Sequence, residues 1–213
     1  MSVAVIVAVL LGALFGLYAD RLASRWPIHE DGAARPPDWR TAAVVLASAA
    51  TFGALAGRWT EPRDLAVLGL YAAVLIVLLA TDLDQRLLPD VLTLPLIPYS
   101  VVVLVLGWNP ILADKDLAIV TAVAAGLGAP ILLLVTDRIL GGALGMGDVK
   151  LAVSLGLMAG ISRFVGGFLV ASVLFAVVLI TLIVLRRLSM RSAIPFGPVL
   201  IAAGIIAMLL PGG

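Results

Sequence analysis

The amino-acid sequence predicts an all-α, polytopic membrane protein with about eight transmembrane helices. Of its 213 residues, 62% are hydrophobic and 13% are charged, and the mean hydropathy is +1.19. Soluble domains carry about 25% charged residues, roughly twice this fraction. The apolar residues are grouped in runs that approach the roughly 20 residues needed to cross a bilayer. Because the runs lack strand-like alternation, we expect helices rather than barrel strands.

Eight apolar runs follow one another along the chain and are the candidate helices. They are Val3–Tyr18, Thr41–Gly57, Leu65–Thr81, Val91–Gly107, Leu117–Thr136, Val149–Ile161, Phe164–Leu185 and Ile194–Leu210. The first run resembles a signal peptide in length, but it lacks a basic start and a convincing small-residue cleavage site. It is therefore predicted to be a retained span. The run Val149–Ile161 is short and contains glycine, so it is the least typical span.

The longest polar segment, residues 19–40, lies between the first two runs. Pro27, Pro36 and Pro37 make it irregular, and it is too short to bury a core of its own. We therefore predict one integral membrane domain over residues 1–213, with 19–40 as a short cytoplasmic loop.

The basic residues predict the orientation of the chain in the membrane. If the N-terminus is outside, ten lysines and arginines fall on the cytoplasmic side and four on the opposite side, as the positive-inside rule expects. The cytoplasmic set is Arg21, Arg25, Arg35, Arg40, Arg86, Arg138, Lys150, Arg186, Arg187 and Arg191; the other set is Arg58, Arg63, Lys115 and Arg163. This orientation places Asp82 and Asp148 on the same, cytoplasmic, side.

The composition also limits the possible chemistry. There is no cysteine, which excludes disulfides, thiolate metal sites and a cysteine nucleophile. The one histidine, His29, rules out multi-histidine metal sites and argues against a Ser-His-Asp triad. A net charge of +1 without a basic tract indicates no nucleic-acid partner. The chemistry is therefore expected from carboxylates, hydroxyls, lysines or arginines, and no cofactor is predicted.

One candidate acid is Asp148, in the stretch Gly145-Met146-Gly147-Asp148-Val149-Lys150. The two glycines permit close approach of another segment and a helix break before Asp148. A helix that begins there places the carboxylate in its first turn, where free amides and the helix dipole favour it. An ionisable group within a membrane helix is costly, which favours a functional role. The alternative is a simple N-terminal helix charge at the lipid interface.

The second candidate acid is Asp82, at the end of the run Leu65–Thr81. In a continuing helix Asp84 points in a different direction from Asp82, and we expect it to be solvated rather than catalytic. Pro89 and Asp90 are typical of the first turn of the next helix. The alternative for this stretch is an ion pair between Arg86 and Asp82.

Two inward-facing carboxyl groups, without histidine or cysteine, suggest aspartic protease chemistry. Held close together they cannot both ionise, so they share one proton. The ionised group takes a proton from water, which attacks the scissile carbonyl, and the protonated group donates to the carbonyl oxygen and then to the leaving amine. A metal site is the competing use of two carboxylates. It is less favoured because no histidine or further acid converges with them.

Three segments resemble motifs of the prepilin peptidases, a family of intramembrane aspartyl proteases. Gly145 to Lys150 resembles the family's Gly-x-Gly-Asp motif, and Asp82 to Asp90, with the following Leu92-Thr93-Leu94-Pro95, is similar to its first acidic motif. Ile194-Pro195-Phe196-Gly197-Pro198 resembles its C-terminal segment. The three occur in the family's order, and the resemblance covers roughly Leu65 to the C-terminus.

The resemblance implies cleavage of the short basic leader from type IV prepilins and pilin-like precursors, at the cytoplasmic boundary of a bacterial cell membrane. The family's catalytic pair maps onto Asp82 and Asp148, because its first acid lies seven positions before a proline, which is Pro89 here. Supporting residues are Gly145, Gly147 and Lys150. The implied partners are the precursor peptides, membrane lipid, and pilus or secretion assembly machinery. Neither a metal nor another cofactor is implied.

The chain departs from the family pattern at one point. Many bacterial members carry a four-cysteine domain after the first span and are also N-methyltransferases. This chain has no cysteine, and residues 19–40 take the place of that insert. A peptidase without methyltransferase activity is therefore predicted.

Two other functions remain possible from the residues alone. Buried acids also form proton relays, so the alternative is a proton-coupled transporter or channel. Such proteins often contain inverted repeats, and no matching second half is evident here. An inactive scaffold for pilus assembly is the third candidate, and intact aspartates disfavour it.

Overall fold

The computed structural model describes residues 2–27, 35–112, 115–140, 144–185 and 196–210, and their regular secondary structure is entirely helical. The helices are α1 (Val3–Ala23), α2 (Trp39–Arg58), α3 (Pro62–Gln85), α4 (Asp90–Val105), α5 (Lys115–Leu140), α6 (Met146–Val184) and α7 (Gly197–Leu209). The predicted all-α class is confirmed. His29, Ile194 and Pro195 lie outside the described residues.

Helix α6 is interrupted at Gly160, whose φ of 65° and ψ of 178° belong to a region used essentially by glycine alone. The two parts of α6 run in opposite directions. Before the break, the chain runs parallel to α4, since Gly147 lies against Leu88 and the Asn109 side chain donates to the Met158 carbonyl at 2.8 Å. After it, the chain runs antiparallel to α7, with Arg163 bonded to the Leu210 carbonyl and Phe168 against Phe196. The chain therefore reverses at Gly160.

Within the described residues, five helices are long and apolar enough to cross a membrane when α6 is counted as one helix across its break: α1, α2, α3, residues 117–139 of α5 and residues 146–181 of α6. Helices α4 and α7 are apolar but shorter. The polytopic membrane character is thus confirmed, while the count of eight spans is not. The break at Gly160 does fall close to the predicted boundary between the runs ending at Ile161 and starting at Phe164.

Helix α7 lies between the two helices that carry the candidate acids. Among the described residues it contacts both α3 and α6, whereas no Cα atom of α3 comes within 8 Å of one in α6. Gly204, near the middle of α7, lies against Leu155 of α6 and Leu75 of α3. At the C-terminal end of α7, the Trp59 indole donates to the Met208 carbonyl at 3.1 Å, and the Arg163 guanidinium group donates to the Leu210 carbonyl at 2.7 Å. These bonds satisfy carbonyls that a helix C-terminus leaves free.

The side chains of α3, α4 and α6 also meet through a buried hydroxyl network. The Tyr71 and Ser154 hydroxyls lie 2.8 Å apart, and those of Ser154 and Ser100 lie 3.0 Å apart. Both serine hydroxyls also lie within donating distance of the Leu96 carbonyl, at 2.9 Å for Ser100 and 3.2 Å for Ser154. Because buried polar groups are costly without partners, this network ties the three helices together in one arrangement.

The loop predicted at residues 19–40 is shorter in the structure, where α1 continues to Ala23 and α2 begins at Trp39. Asp20 and Arg21 therefore lie within α1, beyond the predicted end of the apolar run. Asp20 is almost fully buried and pairs with Arg35 at 2.5 Å, and it accepts a hydrogen bond from Thr41 at 2.8 Å. These partners allow a charged residue to remain in the last turn of a membrane helix.

Candidate active site

Asp82 lies in the last turn of α3, where its side chain turns into the helix bundle. The residue is 5% exposed, and its Oδ2 atom is buried without a hydrogen-bond partner. Helix α3 ends at Arg86, which adopts a left-handed conformation and donates its backbone N–H to the Asp82 carbonyl at 2.8 Å. The Arg86 side chain is exposed, and no ion pair of the described residues includes Asp82. The alternative of a close Arg86–Asp82 ion pair is therefore wrong, although the charge of Arg86 still acts on Asp82 at longer range.

Asp148 lies in the first turn of α6, as expected for a helix that begins after Gly145. Its backbone N–H donates to the Gly145 carbonyl at 3.0 Å, and the residue is 9% exposed. Its Oδ1 atom, like Oδ2 of Asp82, is buried without a hydrogen-bond partner. An unpaired buried oxygen of this kind costs free energy and marks a position with a possible chemical role.

The two glycines before Asp148 allow the chain to pack closely around it. A Cβ atom on Gly147 would lie 2.8 Å from the Cβ atom of Leu88 and 3.0 Å from its carbonyl oxygen. The segment that joins α3 to α4 can therefore lie directly on the start of α6. A Cβ atom on Gly145 would lie 3.3 Å from Oδ2 of Asp148. Both glycines thus keep space free next to the acid-bearing turn.

The structure brings the two candidate carboxyl groups together from opposite ends of their helices. Asp82 is at the C-terminal end of α3 and Asp148 at the N-terminal end of α6, and the charge of Asp148 acts repulsively on Asp82. Their Cα atoms are more than 8 Å apart. The two carboxyl groups are thus close enough for their charges to interact.

The expectation that Asp84 is solvated is wrong. Its side chain is only 1% exposed, and Oδ1 pairs with Arg35 at 2.5 Å and with Arg40 at 3.4 Å. It does point away from Asp82, as residues two apart on a helix must. The side chain faces the α1–α2 connection, where Arg35 also binds Asp20 and Asp38. Asp84 is therefore a buried, ion-paired carboxylate.

Lys150 binds Asp90 rather than either candidate catalytic acid. Its Nζ atom lies 2.6 Å and 2.7 Å from the two carboxylate oxygens, and the Asp90 side chain is 57% exposed. Asp90 is the first residue of α4, after Pro89 at the N-cap, as predicted. The ion pair joins the starts of α4 and α6 beside the site.

Gly197, the first residue of α7, is a neighbour of Asp82 that sequence reasoning did not single out. A Cβ atom there would lie 2.7 Å from Oδ1, 2.8 Å from Cγ and 3.0 Å from Oδ2 of Asp82. The sequence signal that could have indicated this contact is the segment Ile194–Pro198, which resembles the C-terminal motif of the prepilin peptidases. The pairing of Arg35 with Asp84 was also not predicted, because nothing in a loop arginine indicates its partner.

The described residues contain no group of three or more histidine, cysteine, aspartate or glutamate side chains that could hold a metal ion. What they do contain is a pair of buried carboxyl groups, each with an oxygen free to hold a proton or bind water. Such a pair can act as acid and base on a molecule held between its members.

Comparison with known proteins places the site within a family. The model of the type IV leader peptidase family matches residues 69–185, which include both Asp82 and Asp148. The chain is also similar to proteins named prepilin leader peptidase/N-methyltransferase. The one from Aeromonas salmonicida is 38% identical over 137 residues, which is 64% of this chain and 46% of the relative. Those from Dickeya chrysanthemi and Bacillus subtilis are 34% identical over 183 residues and 26% identical over 167 residues.

These alignments cover 81% and 78% of this chain, and 60% and 64% of the Dickeya and Bacillus relatives. The chain spans about half the length of the first curated relatives it matches. No solved structure matches it. Since the family model covers more than half of its residues, the chain belongs to the type IV leader peptidase family.

Proposed function

We propose that this protein is an intramembrane aspartic endopeptidase that removes the short basic leader from type IV prepilins and pilin-like precursors. Asp82 and Asp148 form its catalytic pair. The proposal rests on family membership and, above all, on the burial of these two acids beside each other, each with an oxygen that lacks a partner. Three other described acids are instead ion-paired: Asp84 and Asp20 with Arg35, and Asp90 with Lys150.

The repulsion between the two carboxyl groups supplies the asymmetry that the reaction needs. Two carboxyl groups held together in a poorly solvated site share one proton instead of both ionising. The charged member accepts a proton from a water molecule between them, and the oxygen of that water attacks the scissile carbonyl. The neutral member donates its proton to the carbonyl oxygen. When the tetrahedral intermediate collapses, the carboxyl group that took a proton from water gives it to the leaving amine, and a hydroxyl proton of the intermediate returns to the other carboxyl group.

The location of the pair agrees with cleavage at a membrane boundary. Asp82 is three residues before the end of α3 and Asp148 is the third residue of α6, so both lie at helix ends. The excess of basic residues supports an orientation with the N-terminus outside and these helix ends on the cytoplasmic side of the cell membrane. A precursor could then keep its apolar helix in the bilayer while its leader reaches the site from the cytoplasm. Membrane lipid and pilus or secretion assembly machinery are the further partners we propose.

We further propose that the chain does not methylate the new N-terminus. The relatives carry N-methyltransferase in their names, but the segment between the first two helices of this chain has no cysteine with which to form a four-cysteine zinc domain. Incubation of the purified protein with a prepilin and S-adenosylmethionine tests this. Mass spectrometry should show the shortened, unmethylated product, and a methylated product made by the purified protein would contradict the proposal.

The test of the proposed chemistry is to replace each acid separately. Asp82→Asn and Asp148→Asn should each abolish cleavage of a prepilin substrate in reconstituted membranes, while the protein still inserts and unfolds cooperatively. Each amide preserves the shape of the side chain but can neither share the proton nor accept one from water. Cleavage is followed by the mass shift of the substrate on gels and by mass spectrometry.

Asp84→Asn is the matched control, since it removes a buried carboxylate from the same helix turn. We expect it to retain cleavage, with lower thermal stability because Arg35 and Arg40 lose a charged partner. An inactive Asp84→Asn protein together with an active Asp82→Asn protein would reverse the assignment. A proton-coupled transporter, the alternative function, predicts proton uptake without any cleavage by the wild-type protein, and no structural observation favours it.

A further inference from the structure

The start of α7 forms one wall of the pocket around the Asp82 carboxyl group. The three atoms nearest to a Cβ placed on Gly197 all belong to that carboxyl group, at 2.7 to 3.0 Å. Real Cβ atoms essentially never come this close to another heavy atom. Gly197 does not have a positive φ, so its backbone conformation is open to other residues. The obstacle to a side chain at this position is therefore the carboxyl group itself.

The backbone at Gly197 is held firmly in this position. The Phe196 ring contacts that of Phe168, with centroids 6.2 Å apart, and its carbonyl accepts the Val199 N–H at 3.1 Å. Leu200 and Ile201, in the next turn, are fully buried. The start of α7 cannot easily retreat from a larger residue, because a packed interior relaxes only partly. The Asp82 side chain would have to move instead.

We propose that Gly197 is a positioning residue for the catalytic pair, an inference that rests on the proposed function. By presenting bare backbone to Asp82, it allows the start of α7 to cover one side of the carboxyl group and hold it in the rotamer directed towards Asp148. A methyl group at this position displaces the carboxyl group and misaligns the pair without changing the acids themselves. Gly197 does not touch the reacting atoms of the substrate.

The first experiment compares Gly197→Ala with two control variants. Gly69→Ala adds a methyl group where no atom lies within 4 Å, and Gly204→Ala adds one against Leu155 and Leu75 in the same helix as Gly197. We expect Gly197→Ala to lower kcat by about tenfold to 100-fold with KM unchanged, because small displacements of catalytic groups carry penalties of that size. Gly69→Ala should match the wild type. Gly204→Ala should lose thermal stability but keep the kcat of its folded fraction.

The second experiment asks whether the Asp82 carboxyl group is the partner, and it needs no activity. Gly197→Ala should lower the melting temperature of the full chain in detergent by a few degrees. In an Asp82→Ala background, where Cγ and both oxygens are missing, most of that loss should disappear. Such a cycle isolates the interaction between two neighbouring positions. An equal loss in both backgrounds overturns the proposed contact.

The outcomes separate the inference from the proposed function. If the wild type cleaves no prepilin, the proposed function fails, while the stability cycle still decides whether Gly197 and Asp82 are in contact. If the wild type cleaves and Gly197→Ala has an unchanged kcat, or loses activity only in proportion to its folded fraction, the positioning role is overturned. If Gly197→Ala does not fold alone but folds with Asp82→Ala, the contact is supported.

Discussion

Asp82 and Asp84 are two residues apart on α3 and both are buried, yet their surroundings differ. Asp84 binds Arg35 and Arg40, whereas Asp82 lies against the backbone of Gly197 and within reach of the charge of Asp148. A buried carboxylate with a cationic partner contributes to a defined structure, while one placed beside a second acid is destabilising in the resting protein. We infer that Asp82 serves catalysis and that Asp84 stabilises the fold.

Arg35 is the residue on which this folding role depends. Its side chain is 12% exposed and contacts Asp20, Asp38 and Asp84. Arg35→Ala leaves two buried carboxylates with fewer partners and should lower the free energy of unfolding by about 3 kcal/mol, the usual cost of breaking a buried ion pair from one side. Thermal or denaturant unfolding in detergent measures this. A change within the error of the wild-type value would show that water replaces the guanidinium group.

Lys150 forms an exposed ion pair, in contrast to the buried ion pairs of Arg35. Its ion pair with Asp90 is exposed, and exposed pairs contribute about 0 to 1 kcal/mol. Lys150→Ala should therefore change the free energy of unfolding by less than about 1 kcal/mol in the same measurement. A loss as large as that of Arg35→Ala would mean that the pair is shielded from water, for example by lipid headgroups.

At the scale of elements, the reversal of α6 depends on one glycine. Gly160 has the backbone conformation that other residues avoid, and a Cβ atom there would lie 2.8 Å from a methyl group of Leu112. Without the reversal, residues 161–184 could not lie antiparallel to α7. The packing of Phe168 on Phe196, which fixes the start of α7, would then be lost.

Gly160→Ala should therefore lower the free energy of unfolding by about 1–3 kcal/mol, the cost of placing a side chain in such a backbone region. Gly128→Ala in α5 is the control, because a Cβ atom there meets nothing within 4 Å and alanine favours helix. Unfolding in detergent and the yield of protein from membranes are the two measurements. Equal stability of both variants would contradict the role assigned to Gly160.

At the scale of the whole molecule, the ends of α3, α4, α6 and α7 that surround the two acids are predicted to lie in the cytoplasm. The absence of cysteine makes single-cysteine labelling straightforward. Arg86→Cys, beside the site, should react with a membrane-impermeant maleimide only after spheroplasts are opened. Trp108→Cys, beyond the far end of α4 and 45% exposed in the wild type, should react in intact spheroplasts. The reverse pattern would place the site outside the cell.

Most of the helices could be predicted, because hydrophobic runs of membrane length are a local property of the chain. The acid-bearing turns were accessible for the same reason, since Asp148 follows glycines and Asp82 ends an apolar run. Contacts between segments that are distant in the sequence could not be predicted in this way. Arg35 and Asp84 are 49 residues apart, and no local pattern connects them, so Asp84 was wrongly expected to be solvated. The contact of Gly197 with Asp82 was missed for the same reason.

The three parts of the proposed site are far apart in the order of synthesis, at residues 82, 148 and 197. A nascent chain that has emerged only as far as α6 carries both acids but lacks α7, the helix that lies between α3 and α6. Helix α7 must be synthesised before α3 and α6 can pack at their final distance from each other. If the proposed function holds, a newly inserted chain cannot hydrolyse neighbouring polypeptides until α7 has been synthesised and has packed against α3 and α6.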